Sequence, residues 1–163
     1  MEDALDTLPD HDGETARVTC RAIRVSRLLE RGLKDYFSGH ELESWEYDVL
    51  ATLYQVGGYS CMTDLSNALL LSPGAATNRI DRLVAKDLVT RETAPGNRRM
   101  IIVTLTDEGR RQVSALADGR AATERALLSG LSPDEQSAFG ELLSKLLLSL
   151  DDTEPRIGEH WSM

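Results

Sequence analysis

Residues 95–105 read "PGNRRMIIVTL". A prolyl-glycyl pair makes a tight turn, Asn97 and two adjacent arginines follow, and the run then turns apolar and rich in β-branched residues. With "LVTRE" (88–92) ahead of it, the segment 99–105 reads as the second strand of a hairpin, joined by the polar turn "TAPGNR" at 93–98. The whole chain carries a formal net charge of −9, so paired arginines at a hairpin tip need an explanation.

The explanation starts immediately upstream, in "LLLSPGAATNRIDRLVAKDLV" (69–89). Ser72 is a good N-cap, and Pro73 suits the first helical position, where its missing N–H costs nothing. Ala76, Ile80, Leu83 and Val84 predict one apolar stripe, with Gly74, Asn78, Asp81, Arg82 and Ala85 turned away from it and Arg79 at its edge. Asp87 stands where a C-cap glycine would be convenient, and aspartate tolerates the left-handed conformation better than most residues.

Further out, apolar residues at Val18, Ala22, Val25, Leu29, Leu33 and Tyr36 predict a long amphipathic helix over Thr15–Phe37. "SGHELES" (38–44) breaks it. A second helix is expected over Trp45–Gln55, ended by Gly57-Gly58, and a short third over 62–70. After the hairpin, Thr106 caps a helix expected to reach Leu128. "SPDE" (132–135) is a capping box that opens a last helix with leucines at 142, 143, 146, 147 and 150. The order predicts a mainly α fold with a β-hairpin wing: a winged helix-turn-helix over 44–106, flanked by dimerisation helices over 15–43 and 107–150. The acidic start, 1–14, reads as a disordered tail, and 151–163 as a C-terminal tail. The apolar faces of the flanking helices exceed what the small winged lobe can cover, and a second copy is their natural partner.

A helix that enters the major groove shows small or hydrogen-bonding side chains at its N-terminal end. Ser72, Gly74, Ala75, Thr77 and Asn78 meet that need, and the helix N-terminus itself favours anions. Residues 72–99 hold six Lys or Arg against three Asp or Glu, a surplus of three, which leaves −12 on the remainder. One cationic face on an acidic body is the electrostatic footprint of a nucleic-acid contact. Arg98 is placed to probe a minor groove, and Arg99 or Arg82 to meet phosphates. The competing reading makes Arg98 and Arg99 solvated turn charges.

Other chemistries find little support. Cys20 and Cys61 are too few and too dispersed for a metal site or disulfide framework, and His11, His40 and His160 are scattered. No nucleophile–base pair or phosphate-cradling glycine motif is present, so neither catalysis, cofactor nor metal is expected. No apolar run approaches the roughly 20 residues of a membrane span. The N-terminus lacks a secretory apolar core, and a cytoplasmic location is expected.

"TNRIDRLVAKDLVTRETAPGNRRMIIVTLTDEGR" (77–110) closely resembles the signature of the MarR family of winged-helix regulators. Asp81-Arg82-Leu83 matches its recognition helix, Asp87-Leu88-Val89 its first wing strand, Asn97-Arg98-Arg99 its wing, and Leu105-Thr106-Asp107-Glu108-Gly109 its next helix start. Asp87 departs from a usual glycine and Asn97 from a usual aspartate. The resemblance covers about 15–150. It implies a homodimer on a pseudo-palindromic operator in double-stranded DNA, most often a repressor that a small molecule releases. "SWEYDVLATLY" (44–54), "TNRIDRL" and "LVTR" further resemble the urate-responsive branch, which implies an effector seam at Asp48, Arg79 and Arg91 for urate or another anionic or aromatic compound. No tryptophan precedes Trp45 to complete that branch's set. The alternative for Asp48 and Arg79 is a salt bridge supporting the recognition helix. Two rivals stand beside this reading: a redox-sensing repressor using Cys20, with Arg17, Arg21 and Arg24 nearby, and a winged helix that binds proteins rather than DNA.

Overall fold

The computed structural model describes residues 13–150. The tails expected at 1–12 and 151–163, with His11 and His160, lie outside the described residues. Gly13 and Glu14, assigned above to the tail, are already helical.

Six helices and three strands follow in the order α1 (Gly13–Phe37), α2 (Ser44–Gln55), β1 (Tyr59–Cys61), α3 (Met62–Ala68), α4 (Pro73–Ala85), β2 (Val89–Ala94), β3 (Asn97–Leu105), α5 (Asp107–Leu127) and α6 (Pro133–Ser149). The expected caps are present. Ser72, Thr106 and Ser132 accept backbone N–H bonds from Ala75, Gly109 and Glu135, and Glu135 completes its capping box. β1 is the element the sequence reading lacks. It pairs antiparallel with β3, Tyr59 facing Thr104 and Cys61 facing Ile102, so the hairpin becomes a three-stranded sheet of order β1-β3-β2. A three-residue strand behind Gly57-Gly58 has no alternation to detect, and its partner fixes it.

Three helix ends share one solution. After α4, Asp87 has φ +58°, Leu88 N–H bonds Leu83 C=O and Asp87 N–H bonds Val84 C=O. This is a Schellman motif, closed by apolar contact between the buried Leu83 and Leu88. Asp87 thus adopts the left-handed conformation its position called for. Gly57 plays that role after α2, and Leu70, at φ +50°, after α3, which is why α3 stops at Ala68 rather than running to 70.

The core lies between α2, α3, α4 and the sheet. Leu50, Leu53, Leu65, Ile80, Leu83, Leu88 and Val103 are all but sealed from solvent, each such side chain contributing about 1.5–3 kcal/mol of burial. Ala76, Ile80 and Leu83 form the buried stripe of α4 as expected. Val84 does not: it lies about 70° around the helix from the centre of that stripe and is 40% exposed. α1 joins the lobe only near its C-terminus, where Phe37 is buried, Gly32 lies against Leu127, and Tyr36 Oη donates to Leu116 C=O over Gly119. Val18, Ile23, Val25 and Leu28 of α1, and Leu142, Leu143, Leu146, Leu147 and Leu150 of α6, are exposed in the single chain.

Candidate nucleic-acid interface and effector seam

α3 and α4 form the helix-turn-helix, and the N-terminal end of α4 is open. Gly74 is exposed, and nothing in the chain would meet a side chain placed there. Ser72 Oγ caps the helix at 3.4 Å, and Thr77 Oγ1 donates back to Pro73 C=O at 3.0 Å. Ala75 is half-buried beside them. Asn78 is exposed and its amide bonds to none of the described residues.

The wing tip is equally free. β2 and β3 extend beyond the expected 88–92 and 99–105 until only Pro95-Gly96 remains as the turn, with Gly96 at φ +79°. That is the Pro-Gly arrangement of a type II turn. The ladder then jumps: Thr93 faces Ile101, but Ala94 faces Asn97, so Arg98, Arg99 and Met100 bulge from the register. Asn97 Oδ1 accepts the Arg99 N–H at 3.1 Å and shapes the bulge. Arg98 and Arg99 are exposed, and neither guanidinium has an ion-pair partner among the described residues.

The other four cations of this region are occupied. Arg79, Arg82 and Lys86 lie on one flank of α4 and meet the start of α2. Arg82 Nη2 bonds Glu43 Oε1 at 2.8 Å, and its guanidinium sits 4.7 Å from the Trp45 ring centroid. Arg79 sits over the same ring at 5.2 Å. Trp45 Nε1 donates to the other Glu43 oxygen at 2.8 Å. Hydrogen bonds from Trp45 and then Arg82 hold the Glu43 carboxyl below its ordinary value of 4.5. Lys86 Nζ lies 2.7 Å from the Glu46 carboxylate, a fully buried side chain that also accepts the Glu43 N–H. On the opposite flank Arg91 of β2 pairs with Asp81 at 2.5 Å. Arg82, expected on a phosphate, is held by its own chain.

Asp48, Arg79 and Arg91 each have a different partner. Asp48 pairs with Arg120 of α5 at 3.1 Å, Arg79 with Trp45, and Arg91 with Asp81. The alternative Asp48–Arg79 salt bridge is likewise not formed. Arg120 also bonds Glu124 at 2.8 Å and lies over the rings of Phe37 and Tyr47 at 5.9 and 5.4 Å. Burial pulls the Arg120 pKa down, but its bonds to Asp48 and Glu124 raise it above the ordinary value, while burial pushes the Tyr47 hydroxyl up. An open cleft of about 380 Å³ runs along this α2–α5 seam, past Asp48, Thr52, Gln55, Arg120 and Glu124.

Sequence reasoning missed Glu43, Trp45, Glu46 and Arg120. The available signal was the spacing 79, 82, 86, three basic residues on one helical flank, opposite an acidic and aromatic helix start. Cys20 is exposed on α1. Cys61 caps α3 through its sulfur, and burial raises its thiol pKa. Among the described residues no three His, Cys, Asp or Glu side chains form a metal-binding group, and no helix is long and apolar enough to cross a membrane.

Comparison with known proteins extends this picture. The MarR family model matches residues 42–101. The HTH-type transcriptional regulator PecS of Dickeya dadantii (strain 3937) is 33% identical over 140 residues, 85% of this chain and 84% of PecS. A mutant MarR from E. coli, solved in complex with operator DNA, shares the fold at a TM-score of 0.76 and 25% identity, over 85% of this chain and 99% of that one. Bordetella bronchiseptica BpsR, whose DNA binding is regulated by 6-hydroxynicotinic acid, does so at 0.74 and 25%, over 80% and 98%. These relatives are regulators and not enzymes. With a winged helix-turn-helix in place and a relative one-third identical across most of both chains, this chain belongs to the MarR family of transcriptional regulators.

Proposed function

We propose that the chain is a homodimeric repressor of the cytoplasm that binds a pseudo-palindromic operator and releases it when a small effector enters the α2–α5 seam. The observation that carries the reading is that Arg98 and Arg99 at the wing tip have no ion-pair partner among the described residues, while the other four cations of residues 72–99 are engaged. Ser72, Gly74, Ala75, Thr77 and Asn78 meet the major groove, Arg98 the adjacent minor groove, and Arg99 a phosphate. The exposed apolar faces of α1 and α6 support a second copy as their cover, which gives the 15–43 and 107–150 helices their dimerising role.

The effector part rests on the cleft beside Asp48. It offers one guanidinium against two carboxylates, Asp48 and Glu124, with Tyr47 alongside. That balance suits an aromatic compound rich in hydrogen-bonding groups better than a simple anion. Urate and 6-hydroxynicotinate are the compounds to try first. Arg120 takes the role that the urate-responsive resemblance gave to Arg79 and Arg91.

A titration of labelled duplex from the region upstream of the chain's own gene tests both parts. Binding is expected to weaken steeply with salt, the logarithm of affinity falling by about 0.9 per phosphate contact. Binding that ignores salt, or none at low salt, overturns the DNA reading. Relief of binding by one of the aromatic compounds in the wild type, and not in Asp48→Asn, supports the seam; relief untouched by that substitution removes the seam from it.

A further inference from the structure

Ala76, Ile80 and Leu83, all but sealed from solvent, hold the buried face of α4 against the core. Polar groups with fixed directions on its flanks add a directional restraint to that packing.

Arg79, Arg82 and Lys86 fall within about 60° of arc and span about 10 Å along the axis. All three are answered by Glu43, Trp45 and Glu46, within four residues at the start of α2. The Trp45 indole lies under both guanidinia, and both Glu43 oxygens are used, one by Trp45 Nε1 and one by Arg82. Glu43 thereby fixes the plane of the indole and the fork of Arg82 together. A guanidinium stacked on a ring while its edge meets a carboxylate has one orientation, which an ammonium cannot reproduce. Asp81–Arg91 ties the other flank to the wing.

We propose that Glu43 and Trp45 are positioning residues for the recognition helix, and that Arg82 belongs to this cradle and not to the set of side chains that contact DNA. The inference rests on the DNA-binding reading above. Its consequence is that Arg82 acts on specificity, through the angle at which Asn78 and Thr77 are presented, and contributes no phosphate contact.

The test uses a duplex enriched by the wild-type full-length chain from a random pool, and a shuffled duplex of the same composition. Each is titrated over a range of salt, with the active fraction fixed by stoichiometric titration so that partial unfolding does not enter. Arg82→Lys, Arg82→Ala and Glu43→Gln are each expected to cut the specific-to-shuffled affinity ratio by roughly tenfold, with the salt slope on both duplexes unchanged. Trp45→Phe, which keeps a ring, is expected to retain more of the ratio than Trp45→Ala. An Arg82→Lys variant equal to the wild type overturns the proposal, as does a slope lowered by about 0.9 in Arg82→Ala, the signature of a lost phosphate. Tighter binding of both duplexes by Glu43→Gln overturns it too, since that marks Glu43 as a competitor for DNA. A wild-type chain that enriches no duplex defeats the DNA reading itself, and is told apart from these outcomes before any variant is made.

Discussion

The wing tip and the C-terminal half of α4 each carry paired arginines, yet the two pairs live in opposite circumstances. Arg98 and Arg99 stand on a bulge beyond a type II turn, with no acidic side chain bound to them among the described residues. Arg79 and Arg82 share one indole, and a carboxylate grips the second of them. Local charge counts make the two pairs equivalent. What separates them is three-dimensional: the flank of α4 meets the acidic and aromatic start of α2, while the wing tip brings no acidic side chain among the described residues to its arginines. A cation paired within its own chain has part of its attraction already offset by that partner, whereas a free one brings its full attraction to the encounter.

The largest effect that follows is at the wing. Arg98→Ala combined with Arg99→Ala is expected to weaken DNA binding about 100-fold near physiological salt and to flatten the salt slope by about 2. Wild-type affinity in that double variant, measured by anisotropy, would erase the distinction between the two pairs. Next comes the joint between the two regions. Asp87→Val forces a β-branched residue into the left-handed conformation and is expected to cost about 1–2 kcal/mol in urea unfolding; a cost near zero would mean the reversal after α4 does not depend on that backbone. The smallest effect sharpens the comparison by turning a held cation into a free one. Asp81→Asn releases Arg91 and is expected to raise affinity for a shuffled duplex about threefold, steepening the salt slope by less than 1. An unchanged slope would show that Arg91 stays out of reach of DNA with or without its partner.

Much of the fold was legible because its signals are local. Ser72-Pro73, Thr106 and the Ser132–Glu135 box announce helix starts within a few residues of themselves, and Asp87 announces an end. β1 escaped because its three residues owe their conformation to Thr104, Val103 and Ile102, more than 40 positions away. The candidate site divides the same way. The exposed α4 start and the wing arginines follow from spacing and turn chemistry. The partners of Arg79, Arg82 and Asp48 do not, since Trp45, Glu43 and Arg120 lie between 34 and 72 residues off in sequence and are brought in by packing. The Asp48–Arg79 salt bridge held open as the alternative is not formed for that reason: Asp48 pairs with Arg120 of α5, and Arg79 lies over Trp45 at the start of α2.

Thr106 and Gly109 have a mechanical consequence. The Thr106 hydroxyl proton is shared between the Asp87 and Leu88 carbonyls at 2.8 and 3.0 Å, its N–H bonds Leu88 C=O, and a side chain at Gly109 would collide with that same carbonyl. The last turn of the recognition helix and the first turn of α5 are therefore welded into one piece. α5 extends about 30 Å from this weld, with the Asp48–Arg120 contact roughly 20 Å along it, so with the weld as pivot a sub-ångström shift beside Arg120 corresponds to a tilt of less than about 3°.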